Sequence, residues 1–253
     1  MAVPEATLSH LNRADGSATY SSNGYTVVGA VNGPIEVQRR DELPEEAAIE
    51  VNIRPAVGVG STKERYLESI LQSTLRRIIL THTFPRTLIQ LTLQVVNTPA
   101  PFDCPFTSSP LPLLPALLET AMLALLSASL PLASTYTSVG LALAMPSPVK
   151  KKASLSATAI MPIDDKALEQ ASSIHVFAFT ADGDLLVAES EGLFAPEYWE
   201  HAYDRALELC IGSKDGRAEG EMVVEGEPED RNESQWLRSV MQEKAEQEQR
   251  WKT

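Results

Sequence analysis

The side chains that could do chemistry in this 253-residue chain are few and scattered. His10, His82, His175 and His201 lie far apart, no cluster of partners accompanies any of them, and each reads as structural or exposed. Cys104 and Cys210 stand alone without a Cys-x-x-Cys pair, which fits a reducing compartment. The run Gly58-Val59-Gly60-Ser61-Thr62-Lys63 lacks the third glycine of a dinucleotide loop and the Gly-Lys order of a phosphate-binding loop. No Gly-x-Ser-x-Gly nucleophile elbow occurs. What remains are two acidic pairs, Asp164-Asp165 and Asp182-x-Asp184, and these read better as a helix cap and a turn than as acid/base couples.

The elements around these groups must come from a well-filled core. With 43% hydrophobic, 22% charged and 6% aromatic residues, the chain fits one large or two small domains that need neither disulfides nor a structural metal. The 34 acids against 21 Lys and Arg give a net charge of −13, so a polyanion must be met by a local basic patch. The start, Met1-Ala2-Val3-Pro4-Glu5, lacks the pattern of a secretory or transit signal. Residues 120–149 carry no charge, but Pro131, Pro146 and many Ser and Thr interrupt any membrane span, so a buried helix followed by a buried strand is expected.

Turn signals and periodicity divide the chain into elements. Asp15-Gly16 and Asn23-Gly24 bracket Ser17–Ser22 ahead of Tyr25–Val31, which predicts a hairpin. Asn32-Gly33-Pro34 predicts another turn, into Ile35–Arg39, and Ala47–Ile53 alternates as a further strand of the same antiparallel sheet. Ser61-Thr62-Lys63-Glu64 is a capping box opening a helix whose apolar stripe is Leu67, Ile70, Leu71, Leu75, Ile78 and Ile79. Strands are predicted over Thr87–Val96, Tyr136–Ala144, Ser154–Met161, Ser173–Phe179 and Leu185–Ser190, and helices over Leu113–Ser129 and Pro196–Ile211, the latter stopped by Gly212. From Lys214 onward seven Lys and Arg face eleven Asp and Glu. This predicts a body over 1–213 and an acidic tail over 214–253, partly disordered or helical, with Asp230–Trp251 as the helical part.

A family pattern lies across the first hairpin. Arg13-Ala14-Asp15-Gly16-Ser17, then Gly24-Tyr25-Thr26-Val27-Val28 leading to Gly33-Pro34-Ile35-Glu36, resembles the Arg-x-Asp-Gly-Ser and Gly-x-Thr-x-Val…Gly-Pro-x-Glu pattern of the RNase PH family. Ile49–Pro55, the helix from Ser61, Phe84-Pro85-Arg86-Thr87 through Gln94-Val95-Val96, the turn Ala128-Ser129-Leu130-Pro131 and Ser190-Glu191-Gly192 continue it in order. The resemblance covers Leu8 to Ile211 and is nearest to a ring subunit of the RNA exosome. It implies an α+β, RNase PH-like fold, with an N-terminal antiparallel β-meander, packed helices and a second β/α half. As partners it implies other RNase PH-like ring subunits, RNA-binding cap subunits, an associated hydrolytic nuclease and single-stranded RNA, with no membrane and no cofactor. The expected location is nucleus and nucleolus, and also cytoplasm.

Active members of the family cleave RNA from its 3′ end with phosphate as nucleophile, and two anions in one pocket require arginines and free N–H donors. The phosphate loop should follow Val96, yet Asn97–Pro112 holds five prolines, one Asp and no Lys, Arg or Gly, and no Lys, Arg or His occurs from Thr87 through Val149. The family's helix arginine aligns with Ser73, and its catalytic acid falls near Pro162, with Asp164 or Asp165 as substitutes if the alignment slips. The expectation is a kept fold with no catalytic residue and no metal. By the same resemblance, Lys63 and Arg65 match basic positions facing the ring's channel, Arg76 and Arg77 face a neighbouring subunit, and Lys150, Lys151 and Lys152 form an RNA-contacting or merely solubilising loop. The bland alternative for Lys63 and Arg65 is a solvated helix face with Glu64 and Glu68. Two other functions stay open: a phosphorolytic or metal-dependent nuclease using Asp164, Asp165 or Asp184, possible as a homodimer, and an acidic scaffold that recruits partners through its tail.

Overall fold

Asn23 and Gly24 both take positive φ, 50° and 80°, and close the hairpin between β2 (Gly16–Ser22) and β3 (Tyr25–Glu36) with Ser22 opposite Tyr25. The computed structural model describes residues 4–40, 42–99, 106, 109–144, 159–163, 165–212 and 232–249. A short strand that the sequence pattern did not foresee, β1 (Glu5–Leu8), pairs with the free edge of β2. Next come β4 (Ala48–Arg54), α1 (Thr62–Ile78) and β5 (Thr87–Asn97), which complete a five-stranded sheet in the order β1-β2-β3-β5-β4.

Two expectations are corrected here. β4 is not an antiparallel neighbour of β3. It runs parallel to β5 at the sheet's edge, Ile49 opposite Ile89 and Val51 opposite Leu91. The cause is its connection: α1 packs against β4 as the crossover of a β-α-β unit, and such a crossover returns the chain in the same direction. Nor does Asn32-Gly33-Pro34 turn the chain. β3 continues to Glu36, and the register against β5 shifts between Asn32 and Ile35, so the irregularity absorbs a proline that cannot donate to the ladder.

The second half contains β6 (Tyr136–Ala144), β7 (Ala159–Pro162), α3 (Asp165–Gln170), β8 (Ser173–Thr180), β9 (Leu185–Gly192) and α4 (Pro196–Ile211). Its four strands are antiparallel in the order β7-β6-β8-β9. Gly183 at φ 95° makes the β8–β9 turn, and Gly212 at φ 99° ends α4. α4 presses Ala202, Ala206 and Cys210 against Phe177 and Phe179 of β8.

Between the sheets lies α2 (Leu114–Ser127), touching β2 and β3 on one side and β6 on the other. Enclosure on all sides explains why its sequence is apolar all round, with Leu114, Leu117, Leu118, Ala121 and Leu125 buried. Each such leucine contributes roughly 1.5–3 kcal/mol by leaving water. Two glycines let α2 come this close. A Cβ on Gly16 would lie 2.4 Å from the Ala128 nitrogen, and one on Gly29 2.8 Å from Thr120 Cγ2. No helix among the described residues is long and apolar enough to cross a membrane.

The final helix, α5 (Glu233–Gln249), is packed onto the body. Trp236 and Leu237 are buried in the main core, and the Trp236 ring meets Tyr20 edge to face at 5.6 Å. The Trp236 indole donates to the Pro4 carbonyl (3.1 Å), and Lys244 Nζ donates to the Ser127 carbonyl (3.2 Å). An isolated 17-residue helix is marginal in water, so these tertiary contacts hold it.

Candidate nucleic-acid interface

The start of α1 carries the two basic residues expected to meet RNA. Ser61 caps the helix: its backbone N–H donates to Glu64 Oε2 at 2.6 Å, while its hydroxyl accepts from the Lys63 N–H at 3.3 Å. The serine hydroxyl also donates to Glu64 and, as the leading cause, holds that carboxyl below its ordinary range. This fixes the first turn and sets Lys63 and Arg65 in solvent.

They do not form one patch. Lys63 borders a hollow of about 400 Å³ with Tyr66, Leu111, Ser190 and Glu191. Tyr66 donates its hydroxyl to Glu189 at 2.8 Å; burial first, then that carboxylate, push the phenol up to about 12. Among the described residues the charged groups bordering this hollow are one ammonium and one carboxylate, Lys63 and Glu191. Arg65 lies 3.4 Å from Glu68, whose carboxylate also accepts the Ile53 N–H of β4 at 2.8 Å. Arg65 is 81% exposed but spends part of its charge on this neighbour.

At the other end of α1, Arg76 is bound to Glu46, and Arg77 is exposed with no ion pair among the described residues. Arg77 borders two grooves, one shared with Leu43 and Ile49, the other running along Val187 and Glu189 of β9. Ser73, at the position of the family's arginine, donates to the Ile70 carbonyl within its own helix (2.8 Å). Lys150, Lys151 and Lys152 lie outside the described residues, as do Asp164 and most of the segment between Pro99 and Ser109.

The cleft where the family's chemistry is expected is a cavity of only about 60 Å³, bordered by Tyr20, Pro112, Pro115, Gly140, Pro162 and Glu233. α2 begins there with prolines and without a side-chain cap or a charged residue in its first turn. Behind it sits Glu119, 1% exposed. Its Oε1 accepts from the Ser138 N–H (2.5 Å) and hydroxyl (3.0 Å), while its Oε2 has no partner among the described residues. Burial, and then the Glu233 carboxylate, push Glu119 up to about 8. Glu233, at the first turn of α5, also has an unpartnered Oε2, and burial pushes it up to about 7.

This carboxyl pair was not predicted from sequence. Its signal was faint: Glu119 is the one charge in an otherwise apolar helix, and its neighbour stands 114 positions later. His175 is wholly buried between Ser173 (3.0 Å) and Ser190 (2.8 Å), and burial lowers it to about 4. Asp184 lies in the β8–β9 turn, where its N–H bonds the Thr180 hydroxyl at 3.0 Å. Asp165 is the first residue of α3. Among the described residues no three His, Cys, Asp or Glu side chains come together as a metal would need.

The family signature turns out to be structural in this half. Asp15 Oδ2 accepts the Gly33 N–H at 2.8 Å, so the two quoted motif pieces are bonded to each other, and Gly16 makes room for α2. Comparison with known proteins agrees. Residues 4–131 match the RNase PH family described as "3' exoribonuclease family, domain 1". The chain is similar to exosome complex component RRP46 of Saccharomyces cerevisiae, 39% identical over 94 residues, 37% of this chain and 42% of that protein. It is also similar to an exosome complex exonuclease RRP46 homolog of Oryza sativa, 33% identical over 134 residues, 53% of this chain and 52% of that protein. The chain thus spans about half the length, or less, of these curated relatives. The crystal structure of rice Rrp46 superposes with a TM-score of 0.66 at 27% identity, covering 80% of this chain and 86% of that one.

Proposed function

The chain belongs to the RNase PH family, and from that premise we propose that it is a noncatalytic ring subunit of an RNA exosome core. In this reading it supports 3′-to-5′ RNA processing and degradation, rRNA maturation included, by closing the ring and lining the path of single-stranded RNA. One observation carries the loss of catalysis: no Lys, Arg or His occurs from Thr87 through Val149, the stretch that contains the expected phosphate loop and the helix behind it. Phosphorolysis brings an inorganic phosphate against a phosphodiester, and that pair of anions needs positive charge or N–H donors. Among the described residues the small cavity at this place is bordered by proline rings, the Glu233 carboxyl and neutral polar groups such as Ser22 and Asn23, with no cation.

The partners follow from the relatives' names and the family: other RNase PH-like ring subunits, RNA-binding cap subunits and an associated hydrolytic nuclease. Lys63 and Arg65 hold the RNA backbone, with Lys150–Lys152 as a second contact. Arg77 and, once released from Glu46, Arg76 serve a subunit interface. Nucleus, nucleolus and cytoplasm are the locations that go with this role, and fractionation of tagged protein tests them.

Purified protein, alone and in the reconstituted ring, is to be incubated with 3′-labelled RNA in phosphate or in Mg²⁺. No release of nucleoside diphosphates or monophosphates attributable to this chain is expected. Phosphate-dependent diphosphate release would instead favour the active nuclease. Affinity purification should return stoichiometric ring subunits, and replacing residues 214–231 by a neutral Gly/Ser linker of equal length, which keeps α5 and its buried Trp236, separates ring assembly from a scaffold that works through its acidic tail. Recovery as a lone monomer would sink the ring assignment.

A further inference from the structure

Two carboxyl groups on different helices, Glu119 of α2 and Glu233 of α5, each have a buried Oε2 lacking a partner among the described residues, Glu119 being wholly buried and Glu233 half-buried. The groups that sense them come from every element packed nearby: Tyr20 of β2, Tyr136 of β6 and Cys210 of α4, all acidic or neutral. Ser138 of β6 donates to Glu119, but only to Oε1. Among the described residues no basic side chain belongs to these groups: on α5, Lys244 is engaged with Ser127 and Glu248, and Arg238 borders a separate hollow with Thr135, Tyr136 and Ile211. Two like charges with no compensating cation among the described residues oppose each other's ionisation, so the docked helix favours a proton there.

We propose that α5 is a proton-dependent clasp: it docks with a proton held on the Glu119 and Glu233 carboxyls, and ionisation of both unseats it from the cavity bordered by Tyr20, Pro112 and Pro162. Undocking withdraws Trp236 from Tyr20 and from the Pro4 carbonyl, so the β1–β2 edge is uncovered together with the cavity. The sign follows from linkage. Burial raises both groups, the docked state therefore binds the extra proton, and docking weakens as pH climbs from about 4.5 to about 8. Bulk acid is not required, since the change falls around neutrality.

The test is hydrogen–deuterium exchange on the full chain, with protection corrected for the intrinsic exchange rate at each pH. Peptides covering 233–249 should lose roughly tenfold in protection between pH 6 and pH 8.5, while α4 peptides hold theirs. Glu233→Gln, at the helix end where folding of the body is not at stake, should keep the pH 6 protection at pH 8.5. Equal protection of the wild type at both pH values would overturn the clasp, and so would an unchanged pH dependence in Glu233→Gln. Restoration of protection at pH 8.5 by millimolar Ca²⁺ or Mg²⁺ would also overturn it, because the carboxyls would then be closing on a cation.

Discussion

The β2–β3 hairpin and the run from Asn97 to Leu113 are two places where the same family pattern is expected, and they differ in what survives. In the hairpin, Asp15, Gly16 and Gly33 are present and their work is packing: a bond from the Gly33 N–H to Asp15, and a backbone approach from α2 to Gly16. The second run carries five prolines and no Lys, Arg or Gly, and among the described residues no cation borders the cleft beside Glu233. Packing motifs and chemical motifs of one fold can thus part company.

The comparison breaks most violently at Gly16. A side chain there collides with the Ala128 nitrogen and the Ala124 carbonyl at 2.4 and 2.5 Å, both of them backbone, so α2 would have to move. Gly16→Val should destabilise by about 3 kcal/mol or more, read as a lowered urea midpoint or loss of soluble protein. A variant as stable as wild type would mean that α2 does not seat against β2 as described.

Next in size is the pH response of the emptied region. Glu119 is raised to about 8 from an ordinary carboxyl value, so the folded state holds a proton that the unfolded chain has released. Its contribution to stability is full below about pH 4.5 and is lost as pH rises toward 8, on the order of a few kcal/mol in total. Thermal melts from pH 5 to pH 8.5 should show that fall, and Glu119→Gln, which can still accept from Ser138, should flatten it. Asp15→Ala is smaller, about 1–2 kcal/mol, because one buried N–H loses a charged acceptor. Its melting temperature at neutral pH should drop accordingly, and a variant that melts with wild type would mean that the Gly33 N–H does not depend on this bond.

What the sequence disclosed divides along the same line. Local signals were readable: the Asn23-Gly24 turn, the Ser61 capping box, the all-apolar α2 and the Gly212 stop each carry their cause within a few residues. Partner choice was not. Alternation marked β4 as a strand but could not say that α1 would carry the chain round to make it parallel to β5. Glu119 and Glu233 meet only through the docking of α5, so neither residue's neighbourhood announced the pair. The basic positions were legible as charges, while the pairing of Arg65 with Glu68 and of Arg76 with Glu46, and the placing of Lys63 beside Glu191, required the fold.

The smallest expected effect concerns those cations. If Lys63 and Arg65 both hold RNA phosphates in the assembled ring, each should contribute about 0.7 to the slope of log affinity against log salt. Their settings differ. Arg65 is shared with an anchored Glu68, whereas Lys63 has no ion pair among the described residues but stands beside Glu191 and near Glu189. Lys63→Ala should therefore lower the slope by close to the full increment, and Arg65→Ala by less, with Glu68→Gln restoring Arg65's share. Binding titrations of single-stranded RNA to reconstituted rings at several salt concentrations measure this. Identical slopes in wild type, Lys63→Ala and Arg65→Ala would make the α1 entrance a solvated helix face.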